Sequence, residues 1–132
     1  PILRRSYLLG RKDCRERVMN LPIVIKNSKI PELMSLVIDV YAITLWPFVF
    51  IRDEGNTRTI NHETIHIKQY NELLVIGFLL VYLWDWIHGL IKYRNGEKAY
   101  YRIRFEQEAY ENDNNLNYLS ERSKFAWLKY KV

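Results

Sequence analysis

One cysteine, Cys14, stands among 132 residues. A lone thiol excludes an internal disulfide and a cysteine-ligated zinc site, so any bound metal must be held by histidine and carboxylate. Histidine is itself scarce, three in all. No internal repeat, low-complexity tract or Gly/Pro/Ser-rich linker divides the chain, which leaves a single domain as the expected organisation. No aromatic-interleaved basic motif is present, and a nucleic-acid partner is not expected. Residues 1–10 lack an apolar segment long enough for a cleavable signal, which makes the expected address cytoplasmic.

What is present suffices for a core. Hydrophobic residues make up 48% and aromatic residues 14%, which excludes global disorder. The net charge of +5 is unevenly placed: residues 1–30 carry eight Lys/Arg against Asp13 and Glu16, whereas the remainder has 12 basic and 13 acidic residues. Residues 1–30, with the cluster "LRRSYLLGRKDCRER", therefore read as a solvated basic arm. Such an arm could also meet phosphate, lipid headgroups or an acidic partner. Residues 31–132 read as the domain.

Along that domain the pattern is mostly helical, with one or two short strands. "LPIVIK" is a β-branched run of strand type, and "NSKIPELMSLVIDVY" offers a helix start with Ser28 as cap and Pro31 in the first turn. "AITLWPFVF" reads as extended, with a proline suited to an edge strand, and "DEGN" as a turn. From Thr59 the period becomes helical, with Ile60, Ile67, Tyr70 and Leu74 on one stripe and Asn61, Thr64, Lys68 and Asn71 opposite. Residues 73–91, "LLVIGFLLVYLWDWIHGLI", are 19 apolar-dominated positions, about the length of a bilayer span. Asp85 and His88 oppose a span, and a central core helix would read nearly the same, with His88 as a satisfied core histidine. Association with a membrane or a larger assembly stays open on this reading. "YRNGEK" ends the run, "AYYRIRFEQEAYEND" reads as a second helix, and "NYLSERSKFAWLKY" as a last one packing through Tyr118, Phe125, Trp127 and Leu128.

Within the periodic helix lies "HETIH". Positions i and i+4 share one face, so His62 and His66 can close on one ion, and neutral imidazole is a nitrogen ligand that zinc favours. Glu63 is about 100° further around the helix, where its carboxylate can reach an activated water without taking a coordination position. A string this short also arises by chance. Its placement in a periodic helix, and a second carboxylate-bearing helix downstream, favour a site.

On that second helix Glu106, Ala109, Tyr110 and Asp113 share a face. A small residue there allows the close approach that a third ligand from another helix requires, and the 40 residues from His66 to Glu106 allow one helix out and one back. Glu108 lies about 200° away and is the competing assignment to Glu106; a solvated acidic face is the third way to read "FEQEAYEND".

"HETIH" with the downstream "ExxA" of "FEQEAY" resembles the zincin metallopeptidases of the gluzincin type, and small bacterial proteins that pair an HExxH helix with a long apolar segment. The resemblance spans about residues 42–113. It implies a minimal helical core in which the motif helix packs on a glutamate-bearing helix, Zn²⁺ held by His62, His66 and Glu106, Glu63 as general base, and a peptide or protein substrate laid along an upstream edge strand, here "AITLWPFVF". Many gluzincins carry an Asp four residues after the ligand glutamate; here that position is Tyr110, which leaves histidine orientation less secure. Tyr101, Tyr110 and His88 are candidates for stabilising an oxyanion. The expected function is a zinc-dependent hydrolase, a metallopeptidase. The alternative is a non-catalytic protein of a larger assembly in which zinc only staples the two helices.

Overall fold

The computed structural model describes residues 22–34 and 41–132. Most of the expected basic arm, and the end of the helix expected after Ser28, lie outside the described residues.

The elements run β1 (Ile23–Ile25), α1 (Ile30–Met34), β2 (Ala42–Leu45), β3 (Phe48–Ile51), α2 (Thr57–Tyr93), α3 (Gly96–Tyr101), α4 (Arg104–Asn112), α5 (Tyr118–Glu121) and a final 3-10 turn (Ala126–Lys129). The protein is mainly helical, as the patterning predicts, and its small sheet has three strands where one or two were expected, because "AITLWPFVF" doubles back at Trp46 and Pro47 into β2 and β3. Ser28 caps α1, its Oγ accepting from the Ile30 amide at 3.2 Å. The sheet order is β1-β3-β2. β1 pairs in parallel with β3, and β2 returns antiparallel to β3 through the cis Trp46–Pro47 peptide. β2 is therefore an edge strand. Val49 and Ile51 of β3 pack on Ile67 of α2, which sets the sheet against the first half of that helix.

Asn56 starts α2 by accepting from the Thr59 amide at 2.8 Å, and the helix then folds back on itself at Leu74, where φ is 58° and ψ 171°. The ring contacts measure the fold-back. His66 and Phe78 have ring centroids 6.3 Å apart and Tyr70 stacks on Phe78 at 3.8 Å, whereas twelve residues of straight helix would separate the first pair by about 18 Å. The expectation of an outgoing helix over residues 73–91 is corrected accordingly. That segment returns alongside the motif half, and Leu74, expected on the apolar stripe, is the exposed corner.

The motif half is enclosed on most sides. Asn61, expected on the solvent stripe, is buried, because its side-chain amide donates to backbone oxygens at the end of α4, including Asp113 O at 2.9 Å. The returning half packs one side on the body through Phe78, Tyr82, Asp85 and Gly89, with an aromatic core of Tyr70, Phe78, Phe105 and Trp127. Asp85, the charge that interrupts the apolar run, accepts from Nε and Nη2 of Arg104 at 2.8 Å each and from the Arg104 amide at 3.2 Å. It thereby caps α4, whose own N-cap residue, Ile103, offers no side-chain acceptor. A Cβ on Gly89 would stand 3.0 Å from both Cα and Cβ of Ala99, so glycine is what lets α3 lie against α2. His88, expected in the core, is exposed. The helix has the length and apolarity to cross a bilayer, and most of its apolar window is exposed.

The second helix expected over "AYYRIRFEQEAYEND" is two, α3 and α4, separated at Arg102 and Ile103, where Ile103 turns extended (ψ 129°). The last helix expected is likewise short. α5 and the 3-10 turn flank a non-helical link, and of the four anchors named only Trp127 is buried, while Phe125 and Leu128 are exposed.

Candidate metal centre

α2 presents His62 and His66 one turn apart, and α4 brings Glu106 across to them. All three are buried. Nε2 of His62 lies 3.4 Å from Glu106 Oε2, and Nε2 of His66 lies 3.4 Å from Glu106 Oε1. Tetrahedral ligands at the usual zinc distances of about 2.0–2.1 Å stand about 3.3 Å from one another; each imidazole is near that spacing from one oxygen of Glu106, and the three residues offer donor atoms all within 4.8 Å of one another, close enough to hold one ion. Glu106 Oε2 is buried and has no hydrogen-bond partner among the described residues. A buried carboxylate oxygen without a donor is costly unless a cation satisfies it. The donor set, two imidazole nitrogens and a carboxylate, fits a divalent metal such as zinc.

Each histidine is oriented from behind. Nδ1 of His66 is 2.7 Å from Oε1 of Gln69, whose Nε2 donates to Glu108 Oε2 at 3.0 Å and to Phe105 O at 3.2 Å. Because the Gln69 oxygen can only accept, a proton sits on Nδ1 of His66, and Nε2 is the atom turned toward Glu106, available to a metal once its own proton is displaced. Nδ1 of His62 faces Asp113 Oδ2 at 3.5 Å, and Asp113 Oδ1 accepts from Arg58 Nε at 2.9 Å. The position vacated by Tyr110 is thus filled from one turn further along. Tyr110 instead sets its ring edge-on to His62, with centroids 4.5 Å apart. Neither Gln69 nor Asp113 was singled out as an orienting group by sequence pattern. The available signal was spacing, three residues from His66 and seven from Glu106, both same-face intervals on a helix.

The electrostatics match a site built for a cation. For His66, burial works against the charged form, but the Glu106 carboxylate, with smaller contributions from Glu63 and Gln69, outweighs it and pushes the imidazole up to about 9. Burial would likewise raise Glu106, yet the charge of His66 and the contacts of both imidazoles hold it well below the usual carboxylate range. Tyr82 donates to Glu106 Oε1 at 2.9 Å, and burial, followed by the negative charge of Glu106, keeps its hydroxyl protonated far above neutrality.

Glu108 does not join the triad. It is fully buried, accepting from Gln69, from Tyr118 Oη at 2.8 Å and from Arg122, which also bridges to Glu72. The solvated acidic face that "FEQEAYEND" could have been is absent at Glu106, Glu108 and Asp113, which are buried, while Glu111 is exposed.

Compared with protein-family models, curated proteins and solved structures, the chain finds no significant match. The reading of the site rests on its own geometry.

Glu63 is buried beside the triad but outside it. Its Oε2 lies 2.6 Å from Thr44 Oγ1 on the edge strand β2, and Tyr70 Oη donates to the Thr44 backbone oxygen at 3.1 Å. Two clefts meet here. One, of about 570 Å³, is lined by Thr44, Leu45, Glu63, His66, Leu83 and Trp86 among others and is almost wholly apolar apart from the triad side. The other, of about 1010 Å³, is more polar and is lined by Arg58, His62, Glu63, Tyr101, Tyr110 and Asp113 among others. Tyr101 and Tyr110 thus stand near the centre, whereas His88 lines neither cleft.

Proposed function

We propose that the protein is a zinc-dependent hydrolase, a metallopeptidase, with His62, His66 and Glu106 as ligands and Glu63 as general base. The observation that carries this reading is a convergence: the Nε2 atoms of His62 and His66 each lie 3.4 Å from an oxygen of Glu106, one of those oxygens is orphaned, and a second carboxylate, Glu63, is held beside them by an edge strand. A metal used only as a staple does not require that second carboxylate.

A zinc ion bound there would supply Lewis acidity, acidifying a water molecule and polarising a carbonyl. The residues of the chain do the rest. Glu63 takes the water proton and passes it to the departing amine. Its contact with Thr44 fixes the carboxylate at the floor of the apolar cleft. Tyr82 and the outer partners Gln69 and Asp113 hold the ligands in register. β2, alongside Glu63, has no strand on its outer edge among the described residues, and apart from the Thr44 carbonyl, which Tyr70 Oη takes, that edge can receive an extended peptide. The likeness of the motif to zincins supports the same assignment, and the exposed apolar side of α2 supports an enzyme working in association with a membrane.

The test is zinc content and peptide hydrolysis measured on the same preparations. His62→Ala and Glu106→Ala are expected to lose both. Glu63→Gln is expected to keep stoichiometric zinc and lose hydrolysis. Zinc binding with no hydrolysis in any preparation, wild type included, would instead support the staple.

A further inference from the structure

The returning half of α2 has two sides of opposite standing. One packs Phe78, Tyr82, Asp85 and Gly89 into the body. The other turns Ile76, Leu80, Trp84 and Ile91 to solvent, each between 64 and 74% exposed. These four follow the helical repeat and form one stripe of about 22 Å. The sole Asp, Glu, Lys or Arg in residues 75–91 is Asp85, which is on the packed side and paired with Arg104. An uncharged apolar face of that length is much more than the scattered leucines of an ordinary surface.

Two further observations say what covers it. At the stripe's end Lys92, Lys98 and Arg102 gather around the Tyr93 ring, 5.2, 4.7 and 5.9 Å from its centroid. Lys98 and Arg102 pair with no carboxylate among the described residues, and Lys92 Nζ donates to Val132 O at 2.9 Å. Four cations against Glu97 alone in residues 92–102 suit an anionic surface. The cleft beside the triad also opens on this side: exposed Leu79 and Leu83 of α2 and exposed Leu45 of β2 line it together.

We propose that the apolar side of residues 75–91 lies in the interface of an anionic phospholipid bilayer, with the cations around Tyr93 on its headgroups, and that the apolar cleft there admits an apolar stretch of a membrane-bound polypeptide. The helix lies in the plane and does not cross, because crossing would strip Tyr82 and Asp85 from their partners Glu106 and Arg104. The docking half of this inference stands alone; the substrate half rests on the peptidase reading.

Flotation of the full chain tests docking, with vesicles of phosphatidylcholine alone or mixed with phosphatidylglycerol. Wild type is expected to float with the mixed vesicles, at least about tenfold better than with neutral ones at low salt. Leu80→Glu/Trp84→Glu and Lys98→Glu/Arg102→Glu are each expected to lose that binding while keeping helix content and zinc. Glu63→Gln is expected to float like wild type, so loss of chemistry and loss of docking are read separately. Docking is overturned if wild type ignores the vesicles, or if Leu80→Glu/Trp84→Glu binds equally well. It is also overturned if the stripe proves to join two copies, seen as a wild-type dimer made monomeric by that variant with no lipid binding in either. For the substrate half, an apolar peptide embedded in the mixed vesicles should be cleaved at least about tenfold faster than a polar peptide in solution. Equal rates, in an enzyme that hydrolyses both, overturn it.

Discussion

Nδ1 of His66 lies 2.7 Å from the side-chain oxygen of Gln69, and the Gln69 nitrogen is spent on Glu108 and Phe105. The amide is fixed in one orientation from both ends, and the imidazole is fixed through it. Replacing Gln69 by Leu removes the acceptor behind His66 while leaving all three ligands in place. Zinc affinity, followed by competition with a chelator, is expected to fall roughly 10–100-fold. An unchanged affinity would show that Gln69 does not orient the ring.

Without metal, stability should follow the titration of His66 and Glu106. The folded-state value of His66, about 9, is above its ordinary 6.5, so its contribution is complete below that ordinary value and is lost as pH rises through about 9. Glu106 is held below its ordinary 4.5, so its contribution is present above that pH and lost on acidification. The Tm of the chelated protein is therefore expected to peak between about pH 4.5 and 6.5 and to decline toward pH 9. Zinc must displace the His66 proton, so the rise in Tm on adding metal should grow across the same alkaline window. A flat Tm from pH 6.5 to 9 in the chelated protein would contradict the coupling.

Arg122 clasps two buried carboxylates, Glu72 and Glu108, and Glu72 also accepts from the Phe125 amide at 2.8 Å and Trp127 Nε1 at 3.2 Å. Arg122→Met would leave both glutamates buried without a counter-charge. The expected loss is about 3–5 kcal/mol, read from urea or guanidinium unfolding. Trp127 should loosen with it, detectable as a red shift in tryptophan emission. A loss below about 1 kcal/mol would mean that the clasp is solvated in practice.

Leu74 occupies a backbone region that glycine tolerates and leucine does not, and its side chain is 76% exposed. Leu74→Gly relieves the backbone at little cost in buried area. A gain of about 1 kcal/mol is expected, seen as a higher denaturation midpoint with unchanged slope. Destabilisation would show that the leucine is doing more at the corner than its exposure suggests.

What the sequence disclosed and what it hid divide along physical lines. A helix over "HETIH" and a carboxylate helix opposite follow from periodicity, and 3.6-residue geometry suffices to separate Glu106 from Glu108. The fold-back was hidden because Leu74 carries no turn chemistry; a glycine or proline there would have signalled it. Asn61, Gln69 and Asp113 were hidden for a related reason. A polar side chain on a helix reads as solvated until the element covering it is known; α4 and its C-terminal turn cover Asn61 and Gln69, and α2 covers Asp113. Asp85 read as a penalty within an apolar run, whereas its partner Arg104 starts a helix that the pattern had merged with its neighbour.

The fold-back at Leu74 also governs which mutations in length the gene can accept. Tyr82 reaches Glu106 only because the count of residues from corner to hydroxyl is right. One inserted residue in that interval would turn everything beyond it by about 100°, swinging the tyrosine off the carboxylate and rolling the greasy stripe toward the interior. Side chains on the outer stripe can be exchanged freely for others of like polarity, but between residues 75 and 82 it is the number of residues in the helix that must be kept.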